Sequence, residues 1–151
     1  IRSCLVGSEM CIRDSKYIPR AGETDAQPEL NYLTNYRAIR YADVLLMAAE
    51  ANALKSSPDF SKATNYLNQV RERAFGNSDN NLVFVSQDGI VKAILDERRL
   101  ELAMEGHRFF DLVRTGQASS ELEGFISGKH ELFPIPQTEI DISGLTQNPG
   151  Y

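Results

Sequence analysis

Residues 89–116, GIVKAILDERRLELAMEGHRFFDLVRTG, constrain this chain more than any other stretch. They form its longest periodic segment and carry its densest charge. Wound at about 100° per residue over 90–105, Ile90, Val91, Ile94, Leu95, Leu102 and Met104 spread over one broad arc, the arc a helix buries. Lys92, Asp96, Arg99 and the neutral Ala103 share the opposite, solvated face. Glu97, Arg98, Glu101 and Glu105 fall inside the apolar arc. Carboxylates and guanidinium groups are almost never buried unless paired. A helix that turns four of them inward must therefore find partners. Arg98 can meet Glu101 one turn along the helix, or Glu105 two turns along. Arg37, Arg40 and Arg108 are the expected donors from outside. The expectation is structural: a packed helix with an ion-pair network of Glu97, Arg98, Glu101, Glu105, Arg37, Arg40 and Arg108.

Three other chemistries compete for the same residues. Glu97, Glu101, Glu105 and His107 suggest a carboxylate metal cluster. Di-iron bundles, however, use Glu-x-x-His on two helices. Here Glu105 and His107 are two apart, and the only other histidine is His130 in a Pro-rich tail. Two carboxylates across a cleft would suit a glycosidase, but any chain offers such pairs. An Arg-rich run can grip phosphate, yet each arginine here sits beside acids. No catalytic residue, metal site or cofactor is expected.

At 151 residues the chain is long enough for one domain with a real core. Its formal net charge of −5 leaves no basic footprint for nucleic acid. It holds no apolar run of the roughly 18 residues that span a bilayer.

Residues 1–15, IRSCLVGSEMCIRDS, have no helical or strand period and no signal-peptide core. They resemble a translated sequencing-adapter read-through, so native protein is expected only over 16–151. Both cysteines, Cys4 and Cys11, lie in this segment, which leaves the remainder without a disulfide or thiolate site.

Residues 16–35 read as a polar surface loop. The stretch 41–55, YADVLLMAAEANALK, is apolar almost all round, which predicts a helix covered on more than one side. Ser57-Pro58-Asp59 predicts a helix start with Ser57 as cap and Pro58 first inside. The helix then runs over 58–75 with Ala63, Tyr66, Leu67, Val70 and Ala74 on one stripe, stopped by Gly76. A short connection makes this pair antiparallel. Residues 82–85 are short and possible extended chain; Ser86 is a candidate cap for the central helix. Gly106 weakens that helix, with 108–114 continuing at a bend or as a separate turn. Phe109, Phe110 and Val113 are expected as core wedges. Residues 117–128 are loosely periodic at most. The tail, with Pro134, Pro136, Pro149, Gly144 and Gly150, reads as ordered but irregular. Two helix pairs of this length resemble the tetratricopeptide unit in architecture.

RYADVLLMAAEANAL (40–54), YLNQVRERA (66–74), ILDERRLELAMEGHRFFDLVRTG (94–116) and the LFPIPQTEID and LTQNPGY blocks of 132–151 are together similar to the C-terminal part of the SusD/RagB family. The resemblance implies an all-α scaffold of tetratricopeptide-like hairpins with an irregular Pro-rich tail. It implies a non-catalytic lipoprotein on the outer face of the outer membrane of Bacteroidetes-type bacteria. Such a protein binds glycans or other nutrients for a TonB-dependent SusC-like transporter, and its lipid anchor would lie upstream of this chain. The matching blocks are scaffold blocks, so no ligand-contacting residue carries over. Tyr32 and Tyr36 are candidates for sugar stacking or for packing. The rival function classes are a helical-repeat protein–protein adaptor and a carboxylate-dependent glycosidase.

Overall fold

The computed structural model describes residues 37–151, and the expectations for residues 1–15, for the loop 16–35, for Cys4 and Cys11, and for Tyr32 and Tyr36 lie outside them. Among the described residues every regular element is a helix: α1 (Tyr41–Leu54), α2 (Phe60–Phe75), α3 (Gln87–Glu101), α4 (His107–Arg114), α5 (Ala118–Glu121) and α6 (Gln137–Ser143). They divide into two units, Ile1–Glu105 and Gly106–Tyr151.

In the first unit α1 and α2 form a hairpin across the short connection 55–59, and α3 packs on both. Leu45, Leu46, Ala49 and Ala53 of α1 meet Ala63, Leu67 and Val70 of α2 and Ile90 and Ile94 of α3. The alanines on α1 and α2 leave room for the helices to approach closely. Gly76 ends α2 in the left-handed conformation (φ 75°), its N–H donating to the Glu72 carbonyl. Glycine takes that conformation without the Cβ penalty.

The start of α2 differs from the sequence reading. Asp59 is the cap: its Oδ1 accepts from the Lys62 N–H at 2.9 Å. Ser57 and Pro58 stay outside the helix, exposed in the connection. The Asp59 N–H also donates to the Asn52 carbonyl at 3.0 Å, which ties the start of α2 to the end of α1. Between α2 and α3, residues 82–85 form no strand. Asn68 holds them instead, giving its Nδ2–H to the Leu82 carbonyl and accepting the Leu82 N–H at 2.9 and 3.0 Å. Leu82 and Phe84 pack on the core while Val83 and Val85 are exposed. Ser86 occupies the cap position of α3 but makes no side-chain cap bond.

The central helix ends at Glu101, four residues short of the predicted boundary, and residues 102–105 turn. Met104 leaves the apolar arc altogether: it is 82% exposed, with a left-handed φ of 68°. For a residue with a side chain that backbone costs roughly 1–2 kcal/mol. The offset is tertiary, because Arg40 takes the Glu101 carbonyl and the Glu105 carboxylate together.

In the second unit α4 buries Leu112 and Asp111. Phe109 is half-buried, but Phe110, expected in the core, is exposed. The tail is less irregular than its prolines suggest, for α6 forms between Pro136 and the left-handed Gly144.

Asp59→Ala should lower the stability of the chain by about 1 kcal/mol in urea unfolding, the usual loss for a helix cap. Ser57→Ala should leave the midpoint unchanged. The reverse order would overturn the cap assignment.

Candidate functional site

The inward-facing charges of α3 are met from two other helices. Arg98 Nη1 donates to Asp43 Oδ1 of α1 at 2.6 Å, and each side chain is only 6% exposed. Glu97, 5% exposed, accepts from Arg71 Nη1 of α2 at 2.7 Å. Arg73, also on α2, pairs with Glu101. Arg40, the residue before α1, donates from Nη1 to Glu101 Oε1 at 2.9 Å, and from Nε and Nη2 to the two oxygens of Glu105, each at 2.8 Å. Its Nη2 also reaches the Glu101 carbonyl at 2.9 Å. One guanidinium therefore bridges two carboxylates, Glu101 being shared with Arg73, and caps the C-terminal end of α3, where the helix dipole favours a cation.

Of the expected donors, Arg40 lies in this network. Arg37 is exposed and forms no ion pair with a described residue. Arg108 belongs to the second unit, where it meets Glu121 at 3.2 Å. Asp43, Arg71 and Arg73 went unread in the sequence. The signal for Asp43 was present: with Glu50 it makes the one polar face of a helix that is otherwise almost wholly apolar, and both acids are buried. The partner of Asp43 lies 55 residues away, beyond the reach of any local spacing rule.

Burial pushes the Glu97 carboxyl above its ordinary value, and Arg71 opposes that shift. Glu101, one turn along, adds to it by like-charge repulsion. Arg40 is also raised, but for a guanidinium that favours the charged form, held chiefly by the bond to Glu105. Such paired groups hold structure; they offer no cleft carboxylate placed for acid–base work. Among the described residues no cluster of three His, Cys, Asp or Glu is arranged to hold a metal. None of their helices is long and apolar enough to cross a membrane.

The second unit contains a cleft of about 440 Å³ lined by Phe109, Leu122, Phe125, His130, Phe133 and Tyr151, among others. The Phe109 ring in this lining lies 6.5 Å from the Phe125 ring and 6.0 Å from that of Phe133. His130 meets the Phe125 ring edge-on at 5.7 Å, and its Nδ1 accepts the Ile126 N–H at 2.9 Å. The Tyr151 hydroxyl donates to the Leu132 carbonyl at 3.0 Å, with the Lys129 ammonium 4.6 Å over its ring. The wall is aromatic and apolar, with Glu123, His130 and the Tyr151 phenol as its ionisable side chains.

Arg98→Ala strands Asp43 as a buried charge and should cost about 3–5 kcal/mol. Arg99→Ala, on the exposed face, should cost far less; equal losses in denaturant unfolding would overturn the buried-pair account. Glu97→Gln tests the burial effect. A carboxyl raised in the folded state binds its proton more readily there, so wild-type stability relative to the glutamine variant should fall as pH climbs from 4.5 toward the raised value. A relative stability that rises over that window would show the charged form to be favoured by folding.

Comparison with known proteins places these elements in a common frame. The model of the SusD family matches residues 15–131. SusD-like protein P25 of Formosa agariphila is 36% identical over 145 residues, covering 85% of this chain and 27% of that protein. SusD-like protein P2 of the same organism is 35% identical, covering 78% of this chain and 26% of its own length. The crystal structure of a SusD homolog from Bacteroides thetaiotaomicron superposes with a TM-score of 0.62 at 35% identity, covering 80% of this chain and 29% of the homolog. The chain thus spans about a quarter of the length of the curated relatives it matches. With the family model covering most of its residues and its hairpin helices sharing the homolog's fold, the chain belongs to the SusD family.

Proposed function

We propose that this chain is the helical scaffold portion of a longer protein that binds an extracellular glycan or related nutrient without chemically altering it. That protein hands its ligand to a TonB-dependent SusC-like transporter. It sits on the outer leaflet of the outer membrane, held by a lipid anchor upstream of this chain. The observation that carries the reading is the family match across residues 15–131.

The geometry supports the scaffold role. The acids that most resembled an acid–base or metal constellation, Glu97, Glu101 and Glu105, are each bonded to an arginine. A carboxylate so engaged stabilises a helix interface and has lost the freedom a general acid needs. The same start at residue 15 leaves most of the adapter-like segment outside the family match, which supports reading residues 1–15 as foreign to the fold.

Calorimetric titration against a panel of soluble polysaccharides tests the proposal. The full-length protein should bind at least one of them, and this chain should bind weakly or not at all. Release of reducing sugar by the full-length protein would replace the reading with an enzyme. Tight binding by this chain would overturn the scaffold role.

A further inference from the structure

Helix α1 is apolar on two faces, and among the described residues only one of them is covered. Leu45, Leu46, Ala49 and Ala53 fill the core. On the other side Tyr41, Val44, Met47 and Leu54 are 72%, 44%, 45% and 52% exposed, with Ala51 also exposed between them. At 100° per residue these five occupy one continuous arc, uninterrupted by charge, along the whole helix.

The spacing specifies the occupant. Tyr41, Val44, Met47 with Ala48, Ala51 and Leu54 recur at three- and four-residue steps, the seam that receives another helix. Ala48 and Ala51 at its middle would let a second backbone approach closely. A seam of six side chains falls well short of the roughly 800 Å² per partner that a stable dimer buries, which argues against a second copy. A family protein has about three-quarters of its length beyond a chain of this size, since this one covers 27% and 26% of its relatives. Helical hairpins of this architecture complete their cores by stacking on neighbouring units.

We propose that the outward face of α1 is the seat of a helix contributed by the part of the full-length protein outside this chain. The inference rests on the reading above that the chain is a portion of a longer SusD-like protein.

Methionine oxidation by dilute peroxide, read by mass spectrometry, reports the seat directly, because oxidation follows exposure. In this chain Met47 should oxidise readily. In the native full-length protein it should slow by about tenfold or more and recover in urea. Ala51→Leu adds a test of close helix approach. It should leave the melting temperature of this chain unchanged and lower that of the full-length protein. Met47 oxidising equally fast in both proteins would overturn the proposal. So would protection of Met47 in this chain that grows with its own concentration, which would seat a second copy there. Glycan titration of the same full-length sample separates the two readings. Met47 protected without glycan binding defeats the proposed function alone, and glycan binding with Met47 unprotected defeats the helix seat alone.

Discussion

Arg98 and Asp43 meet at 2.6 Å, both buried, in the unit whose hydrophobic cluster is made of leucine, isoleucine, valine and alanine. Neither can be solvated where it sits, so α1 and α3 are compatible only in the register that brings the two together. Arg71 and Arg73 impose the same condition on α2 through Glu97 and Glu101. The apolar contacts of the hairpin favour collapse but tolerate small slides. Buried ions do not, because a slide of one turn leaves a charge facing hydrocarbon. The hydrophobic stripe explains why the helices associate, and the ion pairs explain why they associate in one way.

The network also accounts for the shape of the chain where α3 ends. Leu102, Ala103, Met104 and Glu105 are all good helix formers, and local propensity alone would carry the helix through them. Arg40 arrives from the residue before α1 and binds Glu101 and Glu105 at once. Those two side chains and the Glu101 carbonyl converge on one guanidinium, and the backbone turns with Met104 left-handed. A contact between residues more than 60 apart thereby decides a helix boundary.

That division between local and distant causes explains what could be read from the sequence. The helices on either side of residues 55–59, the Gly76 stop and the inward placement of Glu97 and Arg98 all follow from spacing within a few turns. The identities of Asp43, Arg71 and Arg73 as partners do not, because pairing across helices has no local signature. Phe110 looked like a core residue by type, yet it is exposed on α4 while its neighbour Phe109 anchors the aromatic cleft. Helix α6 was missed because it is seven residues long and rich in β-branched side chains. Its punctuation was nonetheless present, in Pro136 before it and Gly144 after it. The cleft itself gave no sequence signal, since its walls come from segments scattered over more than 40 residues.

The tail around this cleft is ordered without a sheet ladder. Gln147 accepts the Ile135 N–H and donates to the Ile135 carbonyl at 2.8 and 2.9 Å, as a neighbouring strand would. Asn148 donates to the Phe133 carbonyl at 2.7 Å, and the Tyr151 hydroxyl to that of Leu132. Three side chains among five consecutive residues thus do the work of a missing strand for the segment 132–135. Removing residues 147–151 would unclasp the peptide groups of Leu132, Phe133 and Ile135, 12 to 19 residues upstream, while deleting no helix at all.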